Sequence, residues 1–207
     1  MGQPKAYLPV PPHNHPLILH MIQRLQPLRF EQIIIVTNDP AFPEMINPHL
    51  DQLANTTNFA PITVLADQYP AMGPLAGIAT GLHAIAEDAW GFCVACDMPL
   101  INVALCQSLL KLLPDPNAEN TVDAIVPIAS GRPQPLHALY NRRCLSAIEA
   151  TLQSGERRMT SFLSDIQVRW VDEEEMRPFD PELHSFWNAN TPDDWAEAIA
   201  LLHKESS

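Results

Sequence analysis

Gln32-Ile33-Ile34-Ile35-Val36-Thr37 is a continuous β-branched run of strand length, and Asn38-Asp39-Pro40 ends it. A strand that is apolar throughout needs cover on both of its faces, which is the situation of strands in a parallel sheet. Residues 91–96 are a second apolar run of the same kind. These two runs therefore predict interior strands of an α/β fold.

Helical patterns alternate with such apolar runs along the chain. The first helical pattern begins at Pro16-Leu17-Ile18. We predict strands at 32–37, 62–65, 91–96, 122–128, 137–140 and 166–171, and helices at 17–28, 41–54, 75–88, 102–113, 142–152 and 191–202. This order predicts a single domain over residues 1–207. Its architecture is expected to be three-layer α/β, with a mostly parallel sheet and helices on both faces.

Composition excludes several classes of function. The 207 residues include 24 acidic and 12 basic side chains, so the formal charge is −12 and nucleic acid or anionic lipid is not expected as a partner. No apolar stretch approaches the roughly 18 to 20 residues of a membrane span, and no signal peptide opens the chain. We therefore expect a cytoplasmic protein without a membrane partner.

Cysteine and histidine pairs give little support for a metal or redox centre. Cys93 and Cys96 lie three apart on a predicted strand, so their side chains point to opposite faces and are interpreted as buried apolar groups. His13-Asn14-His15 is interpreted as an exposed loop rather than a metal site.

Ligands of open parallel sheets bind outside the carboxyl ends of the strands, so polar residues at those positions are candidate site residues. Asn38, Asp39, Asp67, Asp97 and the segment Asn188-Ala189-Asn190 qualify. The Asp97 carboxylate suits Mg²⁺ held against substrate phosphates, and equally suits the cap of a turn.

Two further motifs allow a functional or a plain structural interpretation. Gly73-Pro74 begins a helix whose free amides could meet a ligand, or it is an ordinary N-terminal turn. Gly155-Glu156-Arg157-Arg158 could bring a guanidinium to a phosphate, or it is an exposed loop.

In this order, the motifs resemble the molybdenum cofactor guanylyltransferase family, within the nucleotidyltransferases that have a Rossmann-like sheet. The family's signature loop reads roughly L-A-G-G-x-S-x-R-M-G-x-x-K, and Met1-Gly2-Gln3-Pro4-Lys5 matches its last five positions. The resemblance spans the chain and continues through Pro16-Leu17, Thr37-Asn38, Asp67, 73–77, 96–99, 134–140, 155–158 and 188–192.

The resemblance implies an enzyme that transfers GMP from GTP to molybdenum-molybdopterin with Mg²⁺ as cofactor. Lys5 and Asp97 would be catalytic, with Asp97 holding the metal, and the nucleotide would contact Lys5, Asn38, Asp67 and Asp97. The cofactor substrate would contact Gly73, Pro74, Asn188 and Asn190. Molybdenum cofactor biosynthesis proteins or molybdoenzyme chaperones are the protein partners that it suggests.

Two alternatives stay open. One is a related nucleotidyltransferase that uses CTP or a sugar phosphate, and the other is a non-catalytic domain that binds nucleotide or cofactor.

The family pattern also has a first central strand, phosphate-binding glycines and a loop arginine ahead of the position of Met1. We expect a start site assigned too late, so that this first strand is missing from the chain as given, and a true short form is the other hypothesis.

Overall fold

The computed structural model describes residues 4–54, 60–115, 122–156 and 158–205. Its strands are β1 (Pro9–Val10), β2 (His15–Pro16), β3 (Ile33–Val36), β4 (Ile62–Leu65), β5 (Trp90–Val94), β6 (Ala124–Ala129), β7 (Arg132–Pro133), β8 (His137–Asn141) and β9 (Val168–Val171). The α-helices are α1 (Leu17–Leu25), α2 (Phe42–Ala54), α3 (Pro74–His83), α4 (Val103–Leu110), α5 (Leu145–Gln153), α6 (Glu173–Met176) and α7 (Pro192–Glu205).

The expected α/β class is confirmed, and the sheet is mixed rather than mostly parallel. Strands β3 and β4 pair in parallel, with Ile33 opposite Ile62, as a two-stranded sheet. A five-stranded sheet has the order β5-β8-β6-β7, with β9 parallel to β6. Strand β8 pairs antiparallel with both β5 and β6. The described residues begin at Pro4, so they do not test the expectation of a strand ahead of Met1.

Successive side chains of a strand point to opposite faces of the sheet. Both faces of the five-stranded sheet present apolar side chains, and helices cover both. One face packs against α3 and α5 through Ala124, Val126, Ala138 and Tyr140. The other face packs against α4 through Ile125 and Leu139. Every residue of β8 is buried, which makes this strand the centre of the layer. Helix α3 contacts both β3 and β5 and so joins the two sheets.

Helix ends follow the sequence signals in two clear cases. Asn102 is the N-cap of α4 and accepts hydrogen bonds from the backbone N–H groups of Ala104 and Leu105 at 2.8 and 3.2 Å. Thr191 caps α7, since its Oγ1 accepts from the N–H of Asp194 at 3.1 Å.

Other boundaries differ from the sequence prediction. Helix α3 ends at His83 instead of residue 88, and β5 ends at Val94, so Cys96 lies beyond the strand. Cys96 is exposed, which corrects the expectation that it is a buried apolar group. No helix within the four described ranges has the length and apolar character that crossing a bilayer requires.

Candidate active site

A short 3₁₀ turn, Lys5–Tyr7, carries the cation at the centre of the site. The Lys5 ammonium donates hydrogen bonds to Asp97 Oδ2 at 2.9 Å and to Asn190 Oδ1 at 2.6 Å. The Lys5 and Asp97 side chains keep 30% and 23% of their exposure, so the ion pair is open to a ligand from solvent. Residues separated by 92 and 185 positions in sequence therefore meet at one point.

Backbone contacts fix Asp97 and Asn190 relative to each other. Asp97 follows β5, and Met98 and Pro99 beyond it are buried, which anchors the strand end. The N–H of Ala189 donates to the carbonyl oxygen of Asp97 at 3.0 Å. The segment that carries Asn190 is thereby tied to the end of the strand.

The first turn of α7 organises the same segment from its other side. Asp194 Oδ2 accepts from the N–H groups of Asn190 and Thr191 at 3.0 and 2.8 Å. These contacts with Thr191 and Asn190 lower the pKa of Asp194, and the nearby charge of Lys5 adds to the effect. Asp194 therefore stays an anion that holds the Asn190 backbone in place.

Tyr7 connects the turn to the end of a second strand. Its hydroxyl donates to Asp39 Oδ2 at 2.6 Å, and its ring lies 5.9 Å from that of Phe42, centroid to centroid. Burial, followed by the hydrogen bond to Asp39 and the charge of Asp39, raises the pKa of Tyr7 to about 12. Hydrogen bonds from Tyr7 and from the N–H of Ala41 lower the pKa of Asp39. A neutral phenol and an ionised carboxylate therefore form this contact at neutral pH.

Asn38 and Asp67 meet at the ends of the paired strands β3 and β4. The N–H of Asp67 donates to Asn38 Oδ1 at 3.1 Å. Asp67 Oδ1 accepts from the N–H of Tyr69 at 2.9 Å and from the Thr80 hydroxyl at 3.1 Å. One oxygen of this carboxylate thus orders the loop that leads into α3.

Three other predicted site residues stand apart from these two groups. Gly73 is the N-cap of α3 with φ +80°, and Pro74 opens the helix. A Cβ on Gly73 would meet no atom within 4 Å, so the backbone conformation rather than packing requires glycine there. Asn188 Nδ2 donates to the carbonyl oxygen of Phe186 at 3.2 Å. No hydrogen bond or ion pair between described residues joins these three to Lys5 or Asp97.

Two parts of the predicted motifs lie outside the described residues, namely Met1 to Gln3 and Arg157. The described remainder of residues 155–158 is an exposed loop, in which the Glu156 carboxylate accepts from the N–H of Arg158 at 2.8 Å.

Sequence reasoning missed Tyr7 and Asp194 as organisers of the site. Asp39 was among the predicted candidates, since it follows a strand end as Asn38 does. Nothing in the local sequence marks Tyr7, because its role depends on a partner 32 positions away.

The donor atoms around Asp97 fit a hard cation that takes part of its coordination shell from a substrate. Asp97 Oδ2 and Asn190 Oδ1 are oxygen ligands, and both already hold a cation, the Lys5 ammonium. Within the described ranges no three His, Cys, Asp or Glu side chains form a metal-binding cluster. One carboxylate with phosphate and water oxygens is the usual environment of Mg²⁺ and not of structural zinc.

Comparison with known proteins finds a family model and several similar relatives. Residues 1–169 match the family model described as the MobA-like NTP transferase domain. The molybdenum cofactor guanylyltransferase of Syntrophotalea carbinolica is 31% identical over 94% of this chain and 82% of its own length. That of Desulfosudis oleivorans is 32% identical, over 66% of this chain and 64% of its own length.

Solved structures agree with these relatives. Molybdopterin-guanine dinucleotide biosynthesis protein A of Archaeoglobus fulgidus superposes with a TM-score of 0.71 and 25% identity, over 98% of this chain and 92% of that one. A 4-diphosphocytidyl-2C-methyl-D-erythritol synthase of Anaerococcus prevotii has a TM-score of 0.63 at 11% identity, over 95% and 93% of the two chains, and shares the fold.

Proposed function

Because the chain belongs to the MobA-like NTP transferase family, we propose that it joins the GMP part of GTP to molybdenum-molybdopterin. The chain is a nucleotidyltransferase. The observation that supports the proposal is the contact of Lys5 with both Asp97 and Asn190. It brings together a cation suited to bind phosphate, a carboxylate suited to hold Mg²⁺ and a residue that the resemblance assigns to the cofactor substrate.

In the proposed reaction a terminal phosphate oxygen of molybdopterin attacks the α-phosphorus of GTP. A new phosphorus–oxygen bond forms there, the bond to the β-phosphate bridging oxygen breaks, and pyrophosphate leaves. Two polyanions must approach each other, so the main task of the site is to offset their repulsion. An ammonium about 4 Å from a phosphate charge attracts it by about 4 kcal/mol at an effective dielectric of 20, before desolvation is subtracted.

Lys5 supplies this charge, and Asp97 and Asn190 hold its ammonium group between them. A nucleotide phosphate would compete with Asp97 for the ammonium, because both are anionic oxygen ligands. Asn190 is neutral and would keep its hydrogen bond to Lys5 while the phosphate binds.

Asp97 would hold Mg²⁺, which supplies Lewis-acid neutralisation of the phosphate oxygens when it is bound. Asn38 and Asp67 would contact the nucleoside from the ends of β3 and β4. Gly73, Pro74 and Asn188 would contact the cofactor substrate. We place the reaction in the cytoplasm, where the molybdenum cofactor biosynthesis proteins or molybdoenzyme chaperones named above are the expected partners.

Pyrophosphate release tests the proposal. The purified chain is given Mg²⁺ and molybdenum-loaded molybdopterin with GTP, CTP or ATP in separate reactions. We expect release with GTP that depends on the added cofactor. Asp97→Asn should lower kcat/KM at least about 100-fold, a loss of about 2.7 kcal/mol of transition-state stabilisation.

Asp165→Asn is the matched control, because Asp165 is an exposed carboxylate three residues ahead of β9, at the opposite sheet edge from Asp97. It should leave kcat/KM unchanged. A preference for CTP would favour the related nucleotidyltransferase activity. GTP binding without turnover would instead favour the non-catalytic domain.

A further inference from the structure

A cavity of about 430 Å³ lies between the turn that joins β1 to β2, helix α1 and the last two turns of α7. Its size falls within the roughly 300–1,000 Å³ that is typical of sites for small molecules. Three residues of α7 line it, Ile199, Leu202 and His203. They lie five to nine positions beyond Asp194 of the proposed active site, which is about 8–14 Å of helix rise.

Basic side chains are concentrated at this cavity. Four of the chain's eight histidines line it together with an arginine: His13, His15, His20, His203 and Arg24. The ring of a fifth, His49 of α2, has its centroid 6.2 Å from that of His15. No Asp or Glu occurs among the described lining residues, although the formal charge of the chain is −12.

The remaining wall is apolar and firmly packed. Val10 and Leu202 are buried in the cluster that also contains Leu17 and Met98, and Ile199 packs against it. Arg24 is held at the cavity wall, because its Nε donates to the carbonyl oxygen of Ile101 at 2.9 Å. The cavity therefore combines a fixed cationic side with an apolar side.

We propose that this cavity binds a small organic anion. Its phosphate, sulfonate or carboxylate group lies against the histidines and Arg24, and its apolar body lies on Val10, Ile199 and Leu202. Imidazolium and guanidinium N–H groups are the donors that oxyanions prefer. A metal ion fits the site less well, because the described histidines there do not converge as a group of three ligands.

Binding of a ligand with a fixed charge should depend on pH, because histidine gains its positive charge as the pH falls from about 8 to 5. The groups that face the anion are His13 and His15 of the turn, His20 and Arg24 of α1, and His203 of α7, with His49 of α2 behind His15. Benzenesulfonate is a suitable probe, since it keeps one negative charge across this range.

Calorimetric titration of the full chain with benzenesulfonate at pH 6 and pH 8 tests the proposal. We expect affinity at least about tenfold higher at pH 6. Inorganic sulfate and benzyl alcohol should each bind more weakly, because the first lacks the apolar body and the second lacks the charge. His13→Gln and His203→Gln should each weaken benzenesulfonate binding at pH 6, and both replace side chains that are exposed.

Two control variants separate this cavity from other anion sites. His184→Gln removes a histidine outside the cavity, and Lys5→Ala removes the cation of the proposed active site; both should leave the affinity unchanged. The proposal is overturned if binding is absent, if it is equal at the two pH values, or if Lys5→Ala abolishes it. It is equally overturned if the histidine ring resonances respond to Zn²⁺ and not to benzenesulfonate.

Discussion

Mild acid should destabilise this protein through one histidine at its centre. His137 of β8 is fully buried, with its ring centroid 5.3 Å from that of Phe92 and 4.9 Å from that of Phe186. Its Nε2 lies 3.9 Å from Cys106 Sγ, and its Nδ1 has no hydrogen-bond partner. Burial lowers the pKa of His137 from 6.5 to about 4, although the charge of Asp180 opposes the shift.

The sign of the effect follows from proton uptake in the two states. Between pH 6.5 and about 4 the unfolded chain binds a proton at His137 and the folded chain does not. The contribution to stability is therefore complete above pH 6.5 and is lost as the pH falls toward 4. For these two pKa values the loss between pH 8 and pH 5 is about 2 kcal/mol.

Urea unfolding of the wild type and of His137→Leu at pH 8, 6.5 and 5 measures this loss. Leucine removes the titrating group and keeps an apolar side chain in the core. The difference in unfolding free energy between the two proteins should shift by about 2 kcal/mol in favour of the variant from pH 8 to pH 5. His184→Gln serves as the control, because His184 is only partly buried and should not change the slope. Parallel stability curves for wild type and His137→Leu would refute the argument.

Two further substitutions test the support of the site and of the sheet. Tyr7→Phe removes the hydrogen bond to Asp39 and loosens the turn that carries Lys5, so the KM for GTP should rise about fivefold with little change in kcat. Steady-state kinetics of Tyr7→Phe, Asp39→Asn and the double variant measure the coupling, and additive effects would contradict it. Asn102→Ala should lower the urea-unfolding free energy by about 1 kcal/mol through loss of the α4 cap. Asn102→Asp keeps the acceptor and should restore most of it, whereas equal losses would exclude capping as the cause.

Local sequence patterns predicted the secondary-structure elements well where the local sequence alone determines the structure. Strand β4 has the predicted bounds, and β3 lies within the β-branched run that predicted it. The short hairpin β1–β2 was not predicted, because two-residue strands between prolines have no periodicity to detect. The direction of β8 could not be predicted either, because every residue of this strand is buried and the alternation of buried and exposed residues that is typical of many antiparallel strands is absent.

For the candidate site, too, the local sequence predicted some features and could not predict others. The rule that ligands bind at the carboxyl ends of strands selected Asn38, Asp39, Asp67, Asp97 and the segment 188–190. Of these, Asn38 and Asp67 are in contact. It could not show that Lys5 reaches Asp97, because that contact depends on how distant elements pack. Asn190 was assigned to the cofactor from resemblance alone, and its hydrogen bond to Lys5 is visible only in three dimensions.

The 3₁₀ turn Lys5–Tyr7 has a consequence for local opening of the protein. Among described residues the two-stranded and five-stranded sheets share no ladder of backbone hydrogen bonds, so local opening of one sheet does not itself break the strand pairing of the other. The turn connects the two sheets, because Lys5 is bound to Asp97 after β5 and Tyr7 is bound to Asp39 after β3. A phosphate that takes Lys5 from Asp97 breaks the contact with the end of β5 and leaves the contact between Tyr7 and Asp39 intact. We therefore expect phosphate binding at the site to change the difference in the rate of amide hydrogen exchange between β3 and β5.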